Sequence, residues 1–229
     1  MSGDGTDFTL RYLEPVDLEL ILEMQQQISE DLLDPSVFQT STSEFIAYCL
    51  DGGGRVYGVS HGERTVAYRI VYYPRDRNFN LARYSSLPAE QHGCVAQWDT
   101  IGVLPEWRGN GLVRLLNTQA LADVARSEFR HLFATTSPAN PSGIRAMFSA
   151  GFRAMRLFER FEGRLRFLGY RRAQSPWPAP DTDSAHRSIP LGATDELRDA
   201  LAQGWVGHTL LDEQDELRLG MSYEPVSLE

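Results

Sequence analysis

The segment with the clearest chemistry is residues 103–112, VLPEWRGNGL, where a strand-like pattern gives way to a helical one. Gly109 and Gly111 let successive backbone N–H groups approach an anion, and the start of the helix adds positive potential. Arg108 adds a fixed positive charge beside them. The pattern predicts a phosphate-binding turn, although a plain tight turn into a helix uses the same residue types.

A second segment, residues 140–152, reads NPSGIRAMFSAGF. It begins with Asn140 and closes with Gly151 and Phe152, so it predicts a short helix with a polar cap and a glycine stop. Together the two segments resemble the GNAT superfamily of acetyl-CoA-dependent N-acetyltransferases. The first resembles the hallmark V-x-P-x-(aromatic)-R-G-x-G-(aliphatic), and the second is similar to the family's later signature of an Asn, a short helix and Gly-Phe. The residues that match the hallmark are Val103, Pro105, Trp107, Arg108, Gly109, Gly111 and Leu112.

The resemblance covers about residues 8–171 and implies a binding site for acetyl-CoA as co-substrate. It implies that the backbone of Val103 and Leu104 pairs with the pantetheine arm, and that Asn140 helps to position the pantetheine or the thioester. It also implies direct attack of an amine in a ternary complex. The backbone amides that would hold the pyrophosphate are those of Arg108, Gly109, Asn110, Gly111, Leu112 and Val113.

Two positions depart from the family's pattern. Val113 stands where the first motif usually has Gly or Ala, so it should crowd the start of the helix. Met147 stands where the second motif commonly has a Tyr that protonates the leaving thiolate, and methionine has no acidic proton. Either another group takes that role, or the thiolate leaves unassisted, or the protein binds an acyl-CoA without fast turnover.

Asp99 is the candidate catalytic residue. An amine must be neutral to attack a thioester, so a base or a water chain has to remove a proton first. Asp99 lies in the strand that leads to Val103, and its neighbours Trp98 and Ile101 could raise its pKa by burial. The alternatives are that Asp99 binds a backbone amide or an arginine, or that it attracts a cationic substrate.

Other residues with suitable side chains are weaker candidates. Scattered histidines without metal-type spacing are more often surface or core residues, and no metal site is predicted. No G-x-S-x-G elbow or Cys/His pair indicates a nucleophile. The residues concerned are Tyr84, His92, His131, Ser137 and Ser149.

Composition excludes several chemistries. All 22 residues in the Lys+Arg total are Arg, so a Schiff-base lysine, a pyridoxal-phosphate anchor and a Walker-A loop are ruled out. The net charge of −9 disfavours nucleic acid and anionic membranes as partners and favours a cationic amine. Arg164 and Arg166 share one strand face, as in a half-solvated strand, and a carboxylate-bearing acceptor is the lesser alternative.

The two cysteines indicate in which cellular compartment the protein is expected. Cys49 and Cys94 lie in apolar or strand-like contexts without metal spacing, so buried reduced thiols and a cytoplasmic protein are expected. No apolar run approaches the length of a membrane span, and the first residues lack the basic flank of a signal peptide.

Hydrophobic periodicity predicts the element order β-α-α-β-β-β-α-β-α-β-β up to residue 171. Residues 55–60 and 65–73 should form an antiparallel hairpin. Residues 74–92 form a long polar loop and a candidate lid. After a proline-rich linker at residues 173–190, a helix is expected at residues 195–203 and two strands at 205–211 and 217–223. These strands should pack on the main sheet or on a second copy in a homodimer.

The predicted fold class is α/β, with a GNAT-like mixed, mostly antiparallel central sheet flanked by helices and a C-terminal helix plus β-hairpin extension. The domains are residues 1–172, a proline-rich linker at 173–190 and a small extension at 191–229. By the resemblance, the protein transfers an acetyl group to the primary amine of a small molecule. The alternatives are a protein amine, another acyl-CoA, a non-catalytic acyl-CoA-binding module, or a structural domain in which the glycine turn is incidental.

Overall fold

The computed structural model describes residues 7–161, 163–175, 177, 185–213 and 215–224. The element order predicted up to residue 171 is confirmed, as are the helix and the two strands expected after it. The strands are β1 (Phe8–Tyr12), β2 (Gly54–His61), β3 (Arg64–Tyr72), β4 (Val95–Val103), β5 (His131–Thr136), β6 (Arg153–Arg160), β7 (Arg164–Arg172), β8 (His186–Pro190), β9 (Trp205–Glu213) and β10 (Glu216–Tyr223). The helices are α1 (Leu18–Glu30), α2 (Ser43–Tyr48), α3 (Leu112–Ala125), α4 (Pro141–Ser149) and α5 (Thr194–Ala202).

The chain forms two compact units. The first unit comprises Met1–Tyr73 and Trp98–Asp123, and the second comprises Pro74–Gln97 and Val124–Glu229. These units differ from the predicted division at residue 172, which stays a prediction.

In the first unit the strands follow the order β1-β2-β3-β4. The β1/β2 and β2/β3 pairs are antiparallel, and β2 and β3 form the expected hairpin. Apolar residues at helical spacing bury one side of α1, with Ile21, Met24 and Ile28 in the core beside Tyr68 and Tyr72 of β3. This packing fixes β3 and the end of β4, from which the glycine turn emerges.

In the second unit the order is β5-β7-β6-β9-β10-β8. Every strand pair with a resolved register is antiparallel. The C-terminal extension joins the sheet of its own chain, since β9 pairs with β6 through Gly207 and Ala154. The predicted linker needs one correction: its last five residues, His186–Pro190, form β8, because they pair with β10. Residues 176 and 178–184 of that linker lie outside the described residues.

The predicted lid, residues 74–92, is anchored to the second unit. The Asn80 side chain donates to the carbonyls of Arg75 and His92, and its own carbonyl oxygen caps a turn that begins at Leu81. Leu81 and Leu87 are buried in the core of this unit. These contacts give the segment a structural role and do not support a lid.

No helix among the described residues is both long and apolar enough to cross a membrane. The same residues contain no group of three or more His, Cys, Asp or Glu side chains arranged to hold a metal ion.

Candidate functional site

The glycine turn follows β4 directly. A short 3-10 turn at Pro105–Trp107 leads into Gly109 and Gly111, which have φ angles of +82° and +74°. L-residues rarely adopt such angles, so both positions favour glycine. A Cβ built on either glycine would meet nothing within 4 Å, and both residues are exposed. The backbone of this turn is therefore open to a ligand.

Helix α3 begins immediately after the turn. Its first main-chain hydrogen bond runs from the N–H of Leu115 to the carbonyl of Gly111 at 3.1 Å. The N–H groups of the first helical turn have no carbonyl one turn earlier in the helix to bond with, which makes a helix N-terminus attractive to anions. Val113 lies half-buried in this turn and does not prevent the helix from starting at Leu112. Its effect on phosphate contacts stays a prediction.

Arg108 is held by a partner that the sequence did not indicate. Its Nη1 donates to Oδ2 of Asp31 at 2.6 Å, and both side chains are 43% exposed. Exposed ion pairs contribute only about 0–1 kcal/mol, so this pair holds the Arg108 side chain only weakly. Asp31 lies 77 residues away in sequence, and no pattern near it indicates that it pairs with Arg108.

The backbone of Leu104 is largely occupied within the chain. Its N–H donates to the carbonyl of Val66 at 3.0 Å, and its carbonyl accepts from the N–H of Trp107 at 2.9 Å. Only the second lone pair of that carbonyl remains for a pantetheine arm. The expected pairing of Val103 and Leu104 with the pantetheine arm stays a prediction.

Asp99 lies exposed in β4, not buried between Trp98 and Ile101. The burial of the Asp99 carboxylate that the sequence suggested is therefore not present. Its Oδ1 accepts from the hydroxyl of Thr100 at 2.9 Å, and that hydroxyl lies 3.2 Å from the hydroxyl of Ser41. An exposed carboxylate can accept a proton from a substrate or a water molecule.

The charge of Asp99 affects the pKa of two buried residues of β3. Burial lowers the pKa of Arg69 to about 9, and the charge of Asp99 opposes that shift. Burial also raises the pKa of Tyr68, and Asp99 raises it further. The Arg69 guanidinium lies 4.7 Å from the centre of the Trp98 ring. Among the described residues, Nε and Nη1 of Arg69 and the hydroxyl of Tyr68 have no hydrogen-bond partner.

Sequence reasoning missed Arg69 and Tyr68 because both lie in an apolar strand that reads as core. The only available signal was a charged residue in the middle of a predicted strand. Such a residue is more often exposed than buried.

In the second unit, Asn140 caps helix α4. Its Oδ1 accepts from the N–H of Gly143 at 2.8 Å, which is the usual role of Asn at a helix start. Capping alone explains why residue 140 is an Asn. The predicted contact of Asn140 with the coenzyme stays a prediction.

Met147 is buried on α4 and packs against β7. A Cβ built on Gly169 would lie 2.5 Å from the Met147 sulfur, so this side chain fills the space above a strand glycine. It is 4% exposed. The position thus carries a core side chain with no proton to donate.

The weaker candidates are mostly accounted for by structural contacts. His131 is buried, with Nδ1 3.0 Å from the Tyr170 hydroxyl and Nε2 2.8 Å from Oε1 of Gln91. Burial lowers its pKa, so the ring stays neutral near pH 7. The Nε2 of His92 lies 3.0 Å from the carbonyl of Leu87. The hydroxyls of Ser137 and Ser149 bond to the backbone of their own turns, at Ala139 and Ala146.

The candidate residues are thus distributed over both units. Asp99, Val103, Leu104 and residues 108–113 belong to the first unit, and Asn140 and Met147 belong to the second.

Comparisons with known proteins identify the fold. The sequence profile of the acetyltransferase (GNAT) family matches residues 21–152. A comparison with curated protein sequences gives no match. Among solved structures, yncA from Salmonella typhimurium, described as an acetyltransferase with its cofactor acetyl-CoA, has a TM-score of 0.55 and 15% identity over 77% of this chain and 99% of its own.

Two further structures are similar. Arabidopsis thaliana NAA60, solved with acetyl-CoA, has a TM-score of 0.56 and 16% identity over 72% of this chain and 98% of its own. The ribosomal-protein-S18-alanine N-acetyltransferase from Escherichia coli has a TM-score of 0.52 and 14% identity over 74% of this chain and 96% of its own. Likeness at such identities shows the fold alone. It confirms the predicted mixed, mostly antiparallel sheet flanked by helices, with strands added at the C-terminus.

The family profile covers more than half of the 229 residues, and the two segments that carry its resemblance lie where the element order requires them. The chain therefore belongs to the GNAT acetyltransferase family.

Proposed function

We propose that this protein transfers an acetyl group from acetyl-CoA to the primary amine of a small molecule, by direct attack in a ternary complex. The observation that carries the proposal is the exposed turn with two positive-φ glycines at the start of α3. Such a turn presents backbone N–H groups and a helix N-terminus to an anion, and the pyrophosphate of acetyl-CoA is an anion of the right kind.

In this proposal the amides of residues 108–113 bind the pyrophosphate. Arg108 exchanges its exposed pair with Asp31 for a phosphate oxygen. Val103, and to a lesser extent Leu104, hold the pantetheine arm through the backbone, and Asn140 helps to position its reactive end. When bound, acetyl-CoA supplies the activated acyl group. The protein supplies orientation, which lowers the barrier by removing the entropy of bringing two reactants together.

Asp99 acts as the general base. A primary amine is largely protonated near pH 7 and cannot attack until it loses that proton. The exposed carboxylate of Asp99 accepts the proton directly or through one water molecule, while Thr100 fixes one of its oxygens. The neutral nitrogen then attacks the thioester carbonyl, the C–S bond breaks to release the thiolate of CoA, and the acetylated nitrogen loses its second proton to water.

The thiolate leaves without help from residue 147. Met147 is buried against Gly169 and has no acidic proton. An ordinary thiol has a pKa of about 8.5, so its thiolate is a far better leaving group than an alkoxide. Turnover without a dedicated acid is therefore chemically reasonable, with water returning the proton afterwards.

A second candidate function is a non-catalytic acyl-CoA-binding module, and Met147 is the observation that favours it. The two candidates share the coenzyme site and differ in turnover. The test measures release of the CoA thiol from acetyl-CoA, with a thiol-reactive dye, in the presence of a broad panel of primary amines. Amine-dependent release supports the transferase. Binding of acetyl-CoA without release over the whole panel supports the module, and no binding contradicts both.

A further inference from the structure

Asp99 lies at the end of a chain of hydrogen bonds that runs back into the first unit. The Thr100 hydroxyl donates to Oδ1 of Asp99 at 2.9 Å, and the Ser41 hydroxyl lies 3.2 Å from the Thr100 hydroxyl. Thr100 is buried and Ser41 is half-buried, whereas Asp99 is exposed. We call Ser41 and Thr100 the hydroxyl chain. The proposed function uses the contact between Thr100 and Asp99 but does not account for Ser41 behind it.

The carboxylate sets the direction of both hydrogen bonds. An ionised carboxylate only accepts hydrogen bonds, so the hydroxyl proton of Thr100 points at Asp99. A hydroxyl has a single proton to donate, so Thr100 accepts in its contact with Ser41. Ser41 therefore donates to Thr100, and both hydroxyl dipoles point towards the negative charge. The bond to Asp99 is the shorter of the two, as expected when the acceptor is charged.

Helix α1 fixes the backbone of Ser41. Oε1 of Gln25 accepts from the N–H of Ser41 at 2.8 Å, and Nε2 of Gln25 donates to the Ser41 carbonyl at 3.1 Å. Gln25 is 3% exposed, and a buried amide that is hydrogen-bonded at both ends is held in one orientation. The hydroxyl chain therefore starts from a rigid point on α1 and ends at the carboxylate on β4.

A second pair of hydroxyls in the first unit shows what the hydroxyl chain adds. The hydroxyls of Ser60 and Thr65 lie 3.3 Å apart, and Thr65 is buried. Among the described residues, no carboxylate is hydrogen-bonded to that pair. Two partly buried hydroxyls can thus satisfy each other alone. Donors that are aligned on a carboxylate do more, because they stabilise its ionised form and strengthen one another.

Resting on the proposed function, in which Asp99 is the base, we propose that Ser41 is a positioning residue for Asp99 that acts through Thr100. Held by Gln25, Ser41 donates to Thr100 and keeps the Thr100 hydroxyl aimed at the carboxylate. The carboxylate is thereby kept ionised and in one orientation before the amine arrives. Such preorganisation lowers the cost of aligning the base with the proton that it removes.

Two residues of β3 also act on Asp99, and they are the same in every variant compared below. The positive charge of Arg69 and the negative charge of Asp99 stabilise each other. Burial raises the pKa of Tyr68, so this residue stays neutral. Differences between variants of the hydroxyl chain therefore report the hydroxyls and not these neighbours.

The first test measures kcat/KM against pH in variants that lack one hydroxyl. Thr100→Val should lower kcat/KM by about 10-fold. It should also move the acidic limb of the profile to higher pH by about 0.5–1 unit, because a donor to the charged form is lost. Ser41→Ala should change both quantities in the same direction but less, by about two- to fivefold in kcat/KM. Thr100→Ser keeps the hydroxyl and should retain most of the activity.

Thr65→Val is the matched control. It removes a buried hydroxyl from the pair with Ser60, and it should leave both kcat/KM and the pH profile unchanged. A purely structural role of the hydroxyl chain predicts that Thr100→Val leaves the pH profile where it is, as Thr65→Val does. That result would overturn the proposal.

The double variant distinguishes a chain from two independent effects. If Ser41 acts through Thr100, adding Ser41→Ala to Thr100→Val should cost nothing further. Independent effects would instead multiply. Losses that multiply would therefore overturn the proposal.

A measurement that does not use turnover separates this proposal from the proposed function. The carboxyl carbon of Asp99 is followed against pH by NMR in ¹³C-labelled protein and is assigned as the resonance that is lost in Asp99→Asn. A midpoint that is higher in Thr100→Val, and higher by a smaller step in Ser41→Ala, than in wild type and Thr65→Val supports the proposal. Equal midpoints in all four proteins overturn it, whatever their activities.

One combination of results contradicts the proposed function alone. If the midpoints shift as expected while the pH profile of kcat/KM does not move, Ser41 acts on the carboxylate as proposed and Asp99 is not the base. Absence of acetyl transfer to any amine likewise contradicts the transferase, and the NMR midpoints still decide the role of Ser41.

Discussion

Two buried tyrosines of the first unit provide a matched test of how the residues around Asp99 are arranged. Tyr57 and Tyr68 lie on neighbouring strands and are both fully buried. The hydroxyl of Tyr57 donates to Asp123 at 3.1 Å. The hydroxyl of Tyr68 has no hydrogen-bond partner among the described residues. Replacing each by Phe removes one oxygen and leaves the ring in place.

The two replacements should change the free energy of unfolding in opposite directions. A buried polar group without a partner costs about 1–3 kcal/mol, so Tyr68→Phe should stabilise the protein by about 1 kcal/mol. A hydrogen bond to a charged group contributes about 1.5–3 kcal/mol. Because Asp123 keeps its bonds from Tyr12 and Gln119, Tyr57→Phe should destabilise by the lower part of that range.

Urea denaturation followed by far-ultraviolet circular dichroism measures both changes. With a urea m-value of about 1–3 kcal/mol per molar, 1 kcal/mol shifts the urea midpoint by about 0.3–1 M, which is readily resolved. Destabilisation by Tyr68→Phe of more than about 0.5 kcal/mol would refute the reasoning, because the hydroxyl would then have a partner. Acetyl transfer is measured in the same variants. The account expects no change in kcat, since the proton is assigned to Asp99.

Three further predictions concern single side chains. Asp99→Asn should lower kcat/KM by about 10²–10⁴-fold with acetyl-CoA affinity unchanged by calorimetry, and a loss below threefold would remove Asp99 from the base role. Met147→Tyr should lower the free energy of unfolding by about 1–3 kcal/mol through overpacking against Gly169 without raising kcat; a faster enzyme would show that the tyrosine reaches the thiolate. Asp17 has a lowered pKa, chiefly because Arg11 donates to it, so its contribution to stability is present above its unfolded pKa of about 3.9 and lost as the pH falls through the folded pKa. Asp17→Asn should therefore destabilise by about 0.5–1 kcal/mol at pH 7, and this loss should shrink as the pH is lowered below the unfolded pKa; a loss that does not change with pH would contradict the assignment.

Much of the fold follows from local sequence features. The helices α1 and α3 repeat apolar residues at helical spacing, and the β2–β3 hairpin turns at Gly62, which has a φ of +58°. Thr42 caps α2 by accepting from the N–H of Phe45. The glycine turn could be predicted equally well, because its backbone conformation requires glycine at positions 109 and 111 and does not depend on distant contacts.

The features that could not be predicted depend on contacts between distant residues. The pair of Arg108 and Asp31 joins the glycine turn to the end of α1, and no pattern near either residue specifies the other. β8 lies in a segment whose composition is that of a linker, and only its pairing with β10 makes it a strand.

The surroundings of Asp99 and the hairpin formed by β6 and β7 show the same limit. The sequence placed Asp99 in a strand, but whether a strand residue is buried depends on which elements cover each face. The opposition of Arg160 and Arg164 follows from the hairpin register, which a one-residue shift would abolish. Residue types were therefore predictable, whereas their partners were not.

The central claim is that the glycine turn binds acetyl-CoA, and calorimetry with a matched pair of variants tests it most directly. Gly111 and Gly52 both have positive φ angles, of +74° and +91°, and both face open space. Tryptophan at either position carries a similar backbone strain, of about 1–2 kcal/mol. Only Gly111 lies in the glycine turn between β4 and α3. The account predicts submillimolar binding by wild type and Gly52→Trp, and loss of binding in Gly111→Trp with the fold intact by circular dichroism. Absence of binding in the wild type, or undiminished binding in Gly111→Trp, would contradict it.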